Sequence, residues 1–295
     1  MKRIIYPILA LSIAMFACSV PTTVTPQPPV VTEPPVVTQP PVVTITSVVT
    51  NTPVVTNTPV VTNTPVVTEP PAPVTNVTCN ELALYLDPAL ASGYNCETVP
   101  ESAEGMEVYP QYTNLTLQGY VLSDKFFPPH ISVFPVQRYN ELLPDFVPGR
   151  VSDLQTLIGG GAAGDSLPFL PVFNAAQTFY AQYQVTPFVS GTGIRYLTLY
   201  AQYYAPVNNN DLFYTYQGLT SDGQYWVSAI LPINNPILPA NADNPPGGVS
   251  WEVFSNNYGP YITDMIAQLN GQPPESYIPT FTALDALVAS IIIQP

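Results

Sequence analysis

The chain is poor in basic residues and in histidine. It has six Lys and Arg residues against 20 Asp and Glu residues, and its one histidine is His130. Proteins bind the phosphate backbone of nucleic acids mainly through Lys and Arg, so we expect no nucleic-acid partner. The same shortage argues against adhesion to anionic lipid headgroups through charge. The composition therefore favours partners that are recognised without positive charge.

Cysteine is also scarce. The three cysteines are Cys18, Cys79 and Cys96, and no Cys-x-x-Cys pair occurs that would indicate a zinc or thioredoxin-type site. An odd count in an exported protein indicates one free or modified thiol. If Cys18 is that residue, Cys79 and Cys96 remain as an even pair that we expect to form a disulfide, with two free thiols as the alternative. Such a bridge closes a loop of about 17 residues and contributes about 3 kcal/mol to stability.

Motifs that would indicate a cofactor or an active site are incomplete. Residues 164–167 spell the Gly-Asp-Ser-Leu block of the GDSL esterases, but His130 lies upstream and no Asp-x-x-His block follows. Gly159, Gly161 and Gly164 match Gly-x-Gly-x-x-Gly, yet the preceding segment looks helical and no acid stands about 20 residues later. We therefore expect no cofactor and no metal.

The first eighteen residues have the pattern of an export signal. Lys2 and Arg3 precede an apolar run over residues 4–17 that is too short to span a bilayer, which takes about 20 residues. The run ends in Ala17-Cys18 and resembles the lipobox of bacterial lipoproteins, in which the cysteine is acylated after cleavage. The resemblance implies lipidation of Cys18, a membrane tether and an extracytoplasmic location, on the cell surface or in the periplasm. The alternative is an ordinary signal peptide with an incidental cysteine.

Residues 19–78 are rich in Pro, Thr and Val. Val-Val-Thr recurs every six residues from position 30 to position 68. Prolines in most repeats remove hydrogen-bond donors and disfavour strands, so the pattern predicts polyproline II, in which six residues make two turns. At about 3.1 Å per residue, such a segment reaches on the order of 170 Å. We interpret it as a linker, with a recognition surface as the alternative.

Residues 79–295 are long enough for one globular domain, and their patterns predict an α+β fold. In this prediction a meander of antiparallel strands packs against helices that cover one face of the sheet. Residues 79–105 form a piece closed by the disulfide, with a short helix at 79–86. Apolar stripes predict two late helices, which begin near Pro260 and near Thr282. The clearest strand patterns are at 177–185, 194–204, 212–219 and 224–231.

The last two of these strands flank Asp222-Gly223, a typical hairpin turn. A two-residue loop there places Gln217 opposite Ser228 and Tyr216 opposite Ala229. The meander then has one apolar face and one face rich in Tyr, Thr and Gln. Residues 192–239 and 284–288 resemble uncharacterised exported bacterial proteins of the PsbP-like kind, which implies an antiparallel sheet backed by helices.

The abundance of tyrosine, with 19 residues, is the feature of the domain that bears on function. Aromatic rings beside amides suit the binding of sugars or peptides. The candidate ligand-binding residues are Tyr180, Gln182, Tyr196, Tyr200, Gln202 and Tyr204. The alternative for this face is that helices cover it and the tyrosines bridge core and solvent.

Three function classes follow from these patterns. The first is a non-catalytic surface lipoprotein that binds a glycan or a peptide. The second is an extracytoplasmic hydrolase that uses acidic residues, among which Glu141, Asp145, Glu252 and Asp264 lie near ordered elements. The third is a structural envelope component whose partner is another protein. The sequence alone leaves open whether the protein is an enzyme.

Overall fold

The computed structural model of the chain describes residues 74–105 and 107–294. The predicted signal peptide, with Cys18, and residues 19–73 of the predicted linker lie outside these residues. In chain order, the strands are β1 (Val77–Cys79), β2 (Leu82–Leu84), β3 (Gly93–Val99), β4 (Tyr112–Gln118), β5 (His130–Pro135), β6 (Ala176–Gln177), β7 (Ala181–Phe188), β8 (Gly191–Thr198), β9 (Tyr200–Ala201), β10 (Phe213–Thr220), β11 (Tyr225–Pro232) and β12 (Ile292–Ile293). The helices are α1 (Val136–Leu142), α2 (Val147–Ile158), α3 (Trp251–Asn256), α4 (Tyr258–Asn270) and α5 (Phe281–Ala289).

A seven-stranded antiparallel sheet forms the centre of the domain, in the order β3-β4-β5-β11-β10-β8-β7. Its last four strands are the predicted meander. In the hairpin of β10 and β11, Gln217 pairs with Ser228 and Tyr216 with Ala229, as predicted. Gly223 has a positive φ of 71°, which glycine adopts without strain. The α+β prediction is therefore confirmed.

The first face of the sheet carries Tyr214 and Tyr216 of β10 and Val227 of β11, all buried. They belong to one apolar core with side chains of α4, α5 and β2. Helix α4 contributes Met265 and Leu269, which lie one turn apart and form the apolar stripe expected of a surface helix. Packing against this face fixes both late helices.

The second face carries Tyr196 of β8 and Trp226 of β11, and it too is covered, by α1, α2 and the loop at 167–170. The two late helices cover one face, as predicted, while α1 and α2 pack on this second face, so the alternative in which helices cover the Tyr/Gln face is the one observed. Among the described residues, no helix has the length and hydrophobicity needed to cross a lipid bilayer.

The N-terminal piece contains strands where a helix was predicted at 79–86. Strands β1 and β2 form a hairpin around Asn80, whose φ is +51°, and β12 pairs with the other side of β2. All three residues of β2 are buried, so tertiary pairing overrides the local helical preference. The predicted disulfide between Cys79 and Cys96 is present and connects β1 to β3.

Candidate functional site

The centre of the predicted Tyr/Gln face lies inside the domain. Tyr196 is fully buried, and its hydroxyl donates a hydrogen bond to the carbonyl of Pro168 at 3.2 Å. Gln217, also fully buried, accepts from Leu170 N and Trp226 Nε1 and donates to Thr215 Oγ1 and Ser228 Oγ. Its amide therefore has its full set of partners within the core. This part of the face offers no room for a ligand.

Tyr200 lies in an aromatic cluster at the end of the same face. Its ring centroid is 4.9 Å from that of Phe169, 5.0 Å from Phe173 and 6.3 Å from Phe213. Burial raises the pKa of the Tyr200 hydroxyl, while a hydrogen bond from Gln177 lowers it. The Tyr200 ring packs against these neighbours and is only partly accessible to solvent.

Gln182 lies at a β-bulge in β7. The pairing with β8 shifts between Ala181 and Gln184, and Gln182 has a φ of +55°. The strict alternation predicted for this strand, with Gln182 and Gln184 on one face, is therefore interrupted. Gln182 Nε2 donates to the carbonyls of Leu269 and Gln272 at 2.8 and 3.1 Å. Its amide thereby holds the C-terminal end of α4 against β7.

Gln202 and Tyr204 lie elsewhere, in an open cleft with a volume of about 990 Å³. We call it the aromatic cleft, after the rings of Tyr203, Tyr204, Trp251 and Tyr258 that line it. Tyr203 and Tyr204 are 58% and 57% exposed, and Trp251 is 42% exposed. Large aromatic side chains with this much accessible surface mark a binding surface more often than a core. Of the six candidate residues, the structure brings these two together in one solvent-filled site.

Two parts of the chain form the walls of the cleft. Residues 202–204 follow β9, which pairs with β6 and so fixes one wall of the cleft. Helix α3 supplies the other wall, and it begins with Trp251 because Ser250 Oγ accepts a hydrogen bond from Val253 N and caps the helix. The two walls meet where the ring centroids of Tyr203 and Trp251 are 6.4 Å apart.

Tyr258, at the start of α4, forms the base of the cleft. Its hydroxyl donates to the carbonyl of Ala205 at 2.8 Å, and its ring centroid lies 4.8 Å from that of Tyr204. Burial is the main cause that raises the pKa of Tyr258. Burial, together with the carboxylates of Asp211 and Asp243, also raises the pKa of Tyr203. The Tyr203 phenol therefore stays protonated at neutral pH and remains a hydrogen-bond donor.

The polar groups of the cleft are amides and hydroxyls. Gln177, Thr178, Gln202 and Ser255 line it together with Asn174, and among these described lining residues none is charged. Gln202 Nε2 donates to the carbonyl of Asn174, which leaves its side-chain oxygen available as an acceptor. The arrangement offers apolar ring faces beside neutral donors and acceptors.

The remaining candidate, Tyr180, lies beyond Thr178 on the way to β7. Its hydroxyl donates to the carbonyl of Gly164 at 3.0 Å, and its ring is half-buried. Tyr180 lines a second, smaller cleft with Gln182 and Tyr183. The six predicted residues therefore divide among the core, the aromatic cleft and this neighbouring cleft.

The acidic candidates for a hydrolase do not converge within the part of the chain that the structure describes. Glu141 of α1 pairs with Arg138 at 2.9 Å, and Asp264 of α4 accepts from Gln268 at 2.7 Å. Asp145 follows α1 and Glu252 belongs to α3, and neither lines the aromatic cleft. The described residues also contain no group of three His, Cys, Asp or Glu side chains arranged to hold a metal ion.

Sequence reasoning missed four of the five aromatic residues that line the cleft, namely Phe173, Tyr203, Trp251 and Tyr258. Tyr203 falls in the strand predicted at 194–204 but on the face opposite Tyr204, and Trp251 and Tyr258 lie at the starts of α3 and α4. The available signal was the clustering of aromatic residues along the chain, as in residues 200–204 and 251–261. Comparison of the chain with protein-family models, curated proteins and solved structures gives no match.

Proposed function

We propose that the protein is an extracytoplasmic lipoprotein that binds a neutral glycan in the aromatic cleft without cleaving it. The observation that carries this proposal is the exposure of Tyr203, Tyr204 and Trp251 in a cleft whose described lining is uncharged. Sugars have apolar C–H faces that stack on aromatic rings, and hydroxyls that exchange hydrogen bonds with amides and phenols. The cleft provides both kinds of group.

The electrostatics of the cleft favour a neutral glycan over a peptide or an anion. A peptide brings charged termini or side chains, and their desolvation is costly unless they meet a partner of opposite charge. An anionic ligand would meet a chain with 20 acidic and six basic residues. Because no carboxylate is among the described lining residues, the cleft also offers no acid–base pair for glycoside hydrolysis.

Separate observations support the compartment in this proposal. A structural disulfide is compatible with an oxidising, extracytoplasmic environment. Within the proposal, Cys18 carries the lipid and residues 19–78 separate the binding domain from the membrane. Cell fractionation tests this part, because Cys18→Ser should release the protein from the membrane fraction. Retention of the wild-type distribution by Cys18→Ser would favour an ordinary signal peptide with an incidental cysteine.

Calorimetric titration of the purified full-length protein tests the binding function. The probes are neutral oligosaccharides of glucose, mannose, xylose and N-acetylglucosamine. We expect at least one series to bind, and we expect Tyr204→Ala and Trp251→Ala each to raise its Kd at least tenfold, which corresponds to about 1.4 kcal/mol. A matched control is Tyr94→Ala, because Tyr94 of β3 is 39% exposed and is not among the cleft residues.

A reducing-end assay and crosslinking in cells, together with this titration, separate the other function classes. Release of new reducing ends from a bound oligosaccharide would show hydrolysis and contradict a purely binding role. Equal loss of affinity in Tyr94→Ala and Tyr204→Ala would remove the aromatic cleft as the site. If no neutral oligosaccharide binds, and crosslinking in cells instead captures one stoichiometric protein, the protein is better described as a structural envelope component.

A further inference from the structure

The second cleft borders the aromatic cleft and has a volume of about 610 Å³. We call it the Tyr183 cleft, after one of the two tyrosines that line it. Thr178 lines both clefts, so a single residue separates them. Tyr180 and Tyr183 line the new cleft, and their ring centroids are 6.3 Å apart.

An extended segment of chain forms the common wall. β6 pairs with β9, Thr178 N donates to the carbonyl of Leu199 at 3.0 Å, and β7 begins at Ala181. Ala176 and Tyr180 are four residues apart, a separation of about 13 Å in extended chain. The two clefts share this segment as a wall, and a groove that runs through both would be longer than one sugar ring.

The chemistry of the Tyr183 cleft resembles that of its neighbour, with one addition. Its apolar side comes from Ile262 and Ile266 of α4, and its polar side includes the amides of Gln182 and Asn270. Asp165 is the only charged residue among the described residues that line either cleft. A carboxylate accepts hydrogen bonds from sugar hydroxyls but repels a uronate or a sulfate.

From this geometry we infer that the ligand is a linear, uncharged oligosaccharide that occupies both clefts, crosses Thr178 and places a sugar unit against Tyr183 and Asp165. This inference rests on the proposed function, since it extends the same site. It predicts selection by chain length, because a short sugar fills only the aromatic cleft and a longer one also contacts the Tyr183 cleft. It also predicts that Asp165 excludes acidic polysaccharides.

The test uses glucose and N-acetylglucosamine oligomers of two to six units, titrated into the full-length protein by calorimetry. We expect affinity to rise at least tenfold from the disaccharide to the hexasaccharide of the series that binds. Tyr183→Ala should remove that gain, which corresponds to about 1.4 kcal/mol. It should leave the disaccharide Kd within about twofold, because a disaccharide fills only the aromatic cleft. Tyr204→Ala should weaken both, and Tyr183→Phe, which keeps the ring, should behave as the wild type.

The possible results separate this inference from the proposed function. If disaccharide and hexasaccharide bind with equal affinity, the inference is wrong and the aromatic cleft remains a glycan site. If Tyr183→Ala weakens all lengths equally, the groove is not divided as proposed. Failure of the glucose, mannose, xylose and N-acetylglucosamine series all to bind overturns both proposals. For the role of Asp165, we expect Asp165→Asn to improve binding of a galacturonate hexamer, and an unchanged affinity would contradict it.

Discussion

Arg195 of β8 and Asp285 of α5 form an ion pair inside the first face of the sheet, with Arg195 Nε 3.3 Å from Asp285 Oδ1. The Arg195 guanidinium also lies 4.5 Å from the ring centroid of Phe281 and donates to the carbonyl of Gln182. Tyr214 Oη donates to the same carboxylate oxygen at 2.9 Å. The pair therefore connects α5 and the bulge of β7 to the centre of the sheet, close to the Tyr183 cleft.

Removal of the Arg195 charge should destabilise the domain. Arg195→Met keeps much of the apolar stem but leaves Asp285 without its cationic partner and the carbonyl of Gln182 without its donor. Breaking a buried pair costs about 3 kcal/mol or more. Because the Asp285 side chain is 32% exposed, we expect a loss at the lower end of that range. Urea unfolding measures it.

Arg138→Met provides the comparison for this variant. Arg138 pairs with Glu101 at 2.6 Å, but the Arg138 side chain is 46% exposed where that of Arg195 is 9% exposed, and pairs screened by solvent contribute little. We expect hardly any change in its unfolding free energy. Equal effects of the two substitutions would show that the burial of Arg195 has no energetic consequence.

Asp285 should make stability depend on pH in an unusual direction. Burial raises the pKa of the Asp285 carboxyl, and Arg195 and Tyr214 oppose that rise in part. An acid with a higher pKa in the folded state than in the unfolded chain takes up its proton first in the folded state, so protonation favours folding. The stability of the wild type relative to Asp285→Asn should therefore increase as the pH falls from 7, and should level off below about 3.9.

Asp222 gives the opposite sign. Hydrogen bonds from Thr220 and from the backbone of Gln224 lower the pKa of this exposed carboxyl. The stability of the wild type relative to Asp222→Asn should therefore decrease as the pH falls through the lowered pKa. Urea titrations at pH 7 and at about pH 3, below the ordinary pKa of an aspartate, compare the two variants. If the stability of the wild type relative to each variant changed in the same direction with pH, one of the two pKa directions would be wrong.

Close packing of β8 on β10 predicts a strong effect at Gly193. A Cβ atom there would lie 2.5 Å from the Cα of Gly218 and 2.7 Å from Cζ of Tyr216, and would also collide with the carbonyl of Gln217. Gly193→Ala should therefore reduce the unfolding free energy by about 1–3 kcal/mol, the usual cost of overpacking.

Gly149→Ala is the matched control for the same chemical change. Gly149 lies in α2, and an added Cβ meets nothing within 4 Å. Because alanine is the better helix former, this variant should be more stable by up to about 1 kcal/mol. Thermal unfolding of both variants checks the prediction, which requires shifts of opposite direction.

The sequence predicted the hairpin register because alternation and the Asp222-Gly223 turn act locally. It left open whether the Tyr/Gln face is buried, since this depends on the loop at 167–170, whose backbone meets Gln217 and Tyr196. A glutamine in a strand has the same pattern whether its partners are water or a distant loop. Long-range contacts of this kind leave no periodic signal in the sequence.

Local cues misplaced the last helix for a related reason. The prediction began it near Thr282, but the cap is Thr280, whose Oγ1 accepts from Ala283 N at 3.2 Å. Both threonines fit an N-cap by composition, and only the backbone conformation before Phe281 distinguishes them. The candidate site was likewise predicted only in part. Gln202 and Tyr204 line the cleft as candidates, but most of its aromatic rings come from other segments of the chain.

The two tryptophans provide a direct test of the aromatic cleft. Trp226 is fully buried, and its Nε1 donates to Gln217 at 2.8 Å, whereas Trp251 is 42% exposed in the cleft. We expect acrylamide to quench two distinct populations of fluorescence, and Trp251→Phe to remove the accessible one. A bound oligosaccharide should protect Trp251 from acrylamide and leave Trp226 unchanged, because only Trp251 lines the site. If an accessible fluorescent population persists in Trp251→Phe, the core around Trp226 is open to acrylamide. If the sugar then protects this remaining population, the sugar binds outside the aromatic cleft.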